Sequence, residues 1–130
     1  MKIKIEFFEN QIPDAIGGGV YQVSVRRKDN KTAPVYIGES FSMLNRCAAH
    51  LYELQKAPEY FGFTKETICN DEITLIFEIA EKETDEMLRK QKQFDRIKKM
   101  HPLPLSQSGK SDCQKEIPDK IAAMEQFLQS

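Results

Sequence analysis

Tryptophan is absent from this 130-residue chain, histidine occurs twice and cysteine three times. Each scarcity excludes something. Cys47, Cys69 and Cys113 are odd in number, widely spaced and without a C-x-x-C pair, which with so few histidines argues against a zinc site. Such usage fits a reducing, cytoplasmic setting. No run approaches the roughly 18 apolar residues that a membrane span needs. The opening MKIKIEFFEN alternates instead of placing an apolar block behind a charged cap, so neither membrane nor signal peptide is expected. An excess of one charge is also lacking: 19 basic residues against 20 acidic leave a net charge of −1. The usual footprint of a strongly basic nucleic-acid binder is therefore missing. Two local basic clusters remain, at 26–28 and 89–99, whose ordinary reading is solvated surface.

Forty per cent of the residues are hydrophobic, enough for a core in one domain of this length. Residues 3–8 alternate as a half-buried strand, and 20–27 alternate again, with Tyr21, Val23 and Val25 opposite Val20, Gln22, Ser24 and Arg26. Three glycines before the second run mark a flexible or sharply turned connection. The polar stretch KDNKTAP and the short strand VYIG complete a β-hairpin with a longer loop. From Ser42 the period becomes helical, with a stripe of Met43, Leu44, Cys47, Ala48, Leu51 and Leu54 and an N-cap at Ser40 or Ser42. Residues 56–71 read as a loop containing aromatics, 72–81 as a further core strand. A long helix follows, capped by Thr84 or Asp85, striped by Met87, Leu88, Phe94, Ile97 and Met100 and ended before Pro102. Residues 103–130 read as a linker and a C-terminal helix beginning near Pro118. The expected class is α+β: a small mixed or antiparallel sheet of three to four strands flanked by helices.

Chemistry concentrates in GVY (Gly19, Val20, Tyr21), YIG (Tyr36, Ile37, Gly38), Arg46 and His50. Singly, these are strand aromatics and helix-surface residues. Together, in this order and spacing, they resemble the GIY-YIG nuclease superfamily over residues 17–102, with 1–16 as an N-terminal strand and connection. Neighbouring hairpin strands bring side chains within about 5 Å, so both phenols can share a pocket. Gly38 is read as a tight strand-to-helix turn that brings backbone near a phosphate. Arg46 and His50, four apart, share a helix face, and a guanidinium fork matches a phosphodiester.

The resemblance implies metal-dependent hydrolysis of DNA phosphodiesters with Mg2+ or Mn2+. One tyrosine, Tyr21 or Tyr36, would help deprotonate water, Arg46 would steady the phosphate and His50 would assist. Gly38, Arg26, Arg27, Arg89 and Arg96 are the expected DNA contacts. The chain departs from the family at the metal ligand. The position expected to hold a glutamate is Gln93, an asparagine expected after the proline is missing although Gln107 lies nearby, and Glu39 follows the YIG glycine. Three accounts stand open: an inactivating replacement at Gln93, a relocated acid at Glu86 (Asp85 being turned aside), or a non-cleaving relative. The rival to an endonuclease is thus a catalytically inactive module that binds nucleic acid or protein, with a homodimer or protein partner as further expectations.

Overall fold

Period-two alternation builds a four-stranded mixed sheet in the computed structural model, which describes residues 1–109 and 114–130. The strands are β1 (Lys4–Phe7), β2 (Gly19–Arg26), β3 (Thr32–Ser40) and β4 (Thr74–Lys82). The helices are α1 (Ile12–Ala15), α2 (Met43–Lys56), α3 (Glu86–Lys99) and α4 (Ile117–Gln129). Spatial order is β1-β4-β2-β3; β1 lies parallel to β4, and β2 is antiparallel to both neighbours. The fold is α+β, with helices flanking the sheet. No helix among the described residues is long and apolar enough to cross a membrane.

The two faces of β2 separate two cores. Tyr21, Val23 and Val25 join the larger one with Phe8, Met43, Leu54, Phe61, Phe63 and Phe77, while Val20 packs with Ile37 of β3 and Ile97 of α3 in a smaller one. Residues 56–71, expected as a loop, contain 3-10 turns at Pro58–Phe61 and Thr67–Cys69. Phe61, Phe63 and Ile68 are buried from this stretch. Burying each such side chain stabilises by roughly 1.5–3 kcal/mol, which is what holds so irregular a segment in place. The segments expected to flank a central domain enter the same core: Phe8 and Ala15 from the N-terminal part, Met124 from α4.

Helix α2 begins as the sequence suggests. Ser42 caps the Asn45 N–H at 3.5 Å, while Ser40 instead donates to the Ser42 carbonyl. Its buried stripe is Met43, Cys47, His50 and Leu54, so a histidine occupies an apolar position and Ala48 faces out. In α3, Asp85 is the cap, accepting from the Leu88 N–H at 2.9 Å. Its expected apolar stripe is corrected. Met87 and Leu88 are 81% and 51% exposed, and the buried residues are Arg89, Gln93 and Ile97. Polar heads are buried without penalty only when bonded. Arg89 pairs with Glu39 at 2.9 Å and donates to the Thr84 carbonyl at 2.7 Å; Gln93 donates to the Ile37 carbonyl at 3.1 Å. With these partners the polar face of α3 turns inward, and Met87 and Leu88 stay outside.

Strand β3 is an edge, and edges are normally covered. Residues 105–107, read from sequence as linker, do this. The Leu105 and Ser106 N–H groups donate to the Pro34 and Val35 carbonyls at 2.9 Å each. Gln107 then imitates a strand: its Oε1 accepts from the Ile37 N–H at 2.9 Å and its Nε2 donates to the Ile37 carbonyl at 2.8 Å.

Candidate functional site

In the β2–β3 register Tyr21 lies opposite Gly38, and Val23 opposite Tyr36. Gly38 is therefore inside β3, and the expected strand-to-helix turn is corrected. A Cβ at Gly38 would fall within 3.0 Å of Tyr21 Oη, Cζ and Cε1. The glycine is needed because the Tyr21 ring lies across its Cα. That leaves the Tyr21 and Tyr36 rings on one face, with centroids 6.3 Å apart.

His50 rises from α2 against this pair. Tyr21 Oη lies 2.7 Å from His50 Nε2, and His50 Nδ1 lies 2.8 Å from Tyr60 Oη on the 3-10 turn. The Tyr36 ring meets the imidazole edge-on at 5.3 Å. Burial pushes the His50 pKa down to about 4, with the Arg46 charge adding to the fall, so the ring is neutral at pH 7. Burial drives the Tyr21 phenol far above its ordinary range, with Cys47 and Tyr36 adding to the rise and Arg46 opposing it. It likewise raises the Cys47 thiol. Tyr60, half-buried, is raised by burial and by Glu53, against a lowering hydrogen bond from Gln114. Arg46 is exposed and acts electrostatically on Tyr21, Cys47, His50 and Tyr60. Tyr21, Tyr36 and His50 are thus brought together, with Arg46 exposed one helical turn before the histidine. The cluster is neutral apart from its guanidinium, which suits an anion. Its phenols are hydrogen-bond donors and poor bases.

The other sequence-selected residues lie elsewhere or are occupied. Gln93 is buried on the Ile37 carbonyl. Glu86 is largely exposed at the start of α3 and pairs with Lys90 at 3.3 Å. Among the described residues no group of three or more His, Cys, Asp or Glu side chains is placed to hold a metal ion. Hard divalent cations need several oxygen ligands, usually carboxylates. Gln93 brings a neutral amide with its nitrogen on a backbone carbonyl, and Glu86 stands alone at the exposed start of α3, so these residues do not supply the grouped charged oxygens that Mg2+ or Mn2+ favours. Arg89 and Arg27 are buried: Arg89 holds Glu39, and Arg27 holds Asp29 at 2.8 Å and the Phe127 carbonyl at 2.7 Å. Neither guanidinium presents itself to a nucleic-acid backbone, because both close internal contacts. Arg26 is half-exposed and paired with Glu6 at 2.6 Å, and Arg96 donates to Gln22 at 3.3 Å.

Tyr60, Gln114 and Lys120 escaped the sequence reading. Lys120, buried, donates to the Tyr60 carbonyl at 2.9 Å and to Gln114 Oε1, and its amine sits 5.4 Å from the Tyr60 ring centroid. The one signal was PEYFGF, whose tyrosine falls ten residues after His50. Cys113 lies outside the described residues. Compared with protein-family models, curated proteins and solved structures, the chain matches none of them.

Proposed function

We propose that this chain is a GIY-YIG-like domain that binds a DNA phosphodiester at Arg46 and the tyrosine–histidine cluster without hydrolysing it. One observation carries the second half of this reading. Where the superfamily that the sequence resembles keeps a metal-binding glutamate, the chain has Gln93, buried and donating to Ile37 at 3.1 Å. The first half is supported by Arg46, exposed one helical turn before His50 and in no ion pair among the described residues. An arginine so placed offers a bidentate fork to a phosphate while the phenols add neutral donors.

A metal-dependent DNA endonuclease is the second reading, favoured by the assembled Tyr21–Tyr36–His50 grouping with Arg46 one helical turn before the histidine. The two separate in one experiment: gel shift with labelled DNA, and nicking of supercoiled plasmid with Mg2+ or Mn2+. Binding with intact plasmid supports the proposal. Nicking by the natural chain would overturn it in favour of the enzyme, and absence of any shift would remove both.

A further inference from the structure

The hydrogen-bond chain through His50 has a direction. Tyr21 is 1% exposed, and among the described residues its hydroxyl has one hydrogen-bond partner, His50 Nε2 at 2.7 Å. If that hydroxyl only accepted, its own proton would be buried and unpaired, the costly arrangement for a polar group. Tyr21 therefore donates, and Nε2 is the bare nitrogen. A neutral imidazole carries its single proton on the other nitrogen, so Nδ1–H donates to Tyr60 Oη at 2.8 Å.

The far side of Tyr60 is set in the same way. An ammonium has donors only, so Lys120 donates to the Tyr60 backbone carbonyl at 2.9 Å and offers the Tyr60 hydroxyl no acceptor. The Tyr60 oxygen thus accepts from the His50 Nδ1–H. Its own O–H is left with no acceptor among the described residues, on a half-buried side chain within the field of Arg46.

We propose that Tyr60, a residue outside the GVY and YIG tripeptides, donates a hydrogen bond from its hydroxyl to the phosphodiester oxygen held by Arg46. Lys120, from the C-terminal helix, holds the Tyr60 backbone by its bond to the carbonyl at 2.9 Å. The inference rests on the phosphate-binding reading above. It makes the C-terminal helix part of the site, and it gives Tyr21 and Tyr60 opposite duties: Tyr21 donates inward to fix the histidine, Tyr60 outward to the ligand.

Two measurements on the full chain test it. Nitrogen-15 NMR of neutral His50 should show the proton on Nδ1; a proton on Nε2 would overturn the proposal, whatever the binding data say. Binding of a fluorescein-labelled DNA oligonucleotide at low salt is then compared for the natural chain, Tyr60→Phe, Arg46→Ala and, as control, Tyr52→Phe on the exposed face of α2. Tyr60→Phe should weaken binding about tenfold, the loss of one charge-assisted hydrogen bond, with Tyr52→Phe within about twofold. Unchanged affinity in Tyr60→Phe with weakened Arg46→Ala would overturn the role of Tyr60 alone. Unchanged affinity in Arg46→Ala would overturn the phosphate site itself, and this inference with it.

Discussion

Gly38→Ala is the smallest change that attacks the centre of the site. The added methyl would lie within 3.0 Å of three atoms of the Tyr21 ring. The ring cannot swing aside freely, because its hydroxyl is tied to His50 at 2.7 Å and the Tyr36 ring lies 6.3 Å away on the same face. Overpacking of a core costs about 1–3 kcal/mol. Displacing the phenol also breaks a buried hydrogen bond, leaving unpaired groups at about 1–3 kcal/mol. Together the variant should lose roughly 2–6 kcal/mol, or roughly 6–24 °C in Tm for a domain of this size. The decisive assay is a double-mutant cycle by urea unfolding with Tyr21→Ala, which removes the clash. In that background Gly38→Ala should cost less than about 0.5 kcal/mol, since a strand accepts alanine more readily than glycine. Had the glycine served a tight turn, its cost would not depend on Tyr21. Equal costs in both backgrounds would refute the packing argument.

Three further outcomes follow from the same geometry. His50 has a folded pKa near 4 against about 6.5 unfolded, so the unfolded chain binds the extra proton between these values. The stability it contributes is complete above about pH 6.5 and is lost as pH falls toward 4; between pH 7 and 5 the natural chain should lose about 2 kcal/mol more than His50→Gln, and parallel urea profiles would contradict this. Gln93→Glu replaces an amide donor to the Ile37 carbonyl by a carboxylate, and should cost about 2–4 kcal/mol at pH 7. Because a protonated glutamate could donate again, its folded pKa is raised and the deficit should shrink as pH falls toward 5; a variant as stable as the natural chain at pH 7 would contradict the bond. Arg89→Ala breaks a buried pair with Glu39 and should cost about 3–5 kcal/mol, whereas Arg26→Ala, losing a half-exposed pair, should cost about 0–1 kcal/mol. Comparable thermal shifts in the two would show that Arg89 is not an internal strut.

The hairpin, α2 and the approach of Tyr21, Tyr36 and His50 were legible because their signals are local. Period two and period 3.6 state which residues share a face, and four-residue spacing put Arg46 and His50 on one helix. What stayed hidden depends on partners distant in the chain. Nothing near Arg89 announces Glu39, 50 residues earlier, or turns Gln93 inward to a carbonyl 56 residues away. Met87 and Leu88 therefore looked like core and are surface. The stretch after Pro102 has the composition of a linker, yet it binds the β3 edge by backbone groups that composition does not describe. Tyr60 was one aromatic among several in an irregular segment, and its bonds to His50 and to Lys120 of the last helix leave no local signal. Gly38 shows a subtler failure: the turn read for it is absent, and what requires a glycine there is the Tyr21 ring that crosses it.

The central claim is that Arg46 and the tyrosine–histidine cluster hold a phosphodiester that the chain does not cut. Its most direct test is titration of a labelled DNA duplex with the natural chain and Arg46→Ala, at low salt with Mg2+ present, followed by denaturing electrophoresis of the bound DNA. The account predicts saturable binding that falls about tenfold or more in Arg46→Ala at unchanged Tm, with the DNA strand intact. Equal affinity of the two proteins, or a cleaved strand with the natural chain, would contradict it.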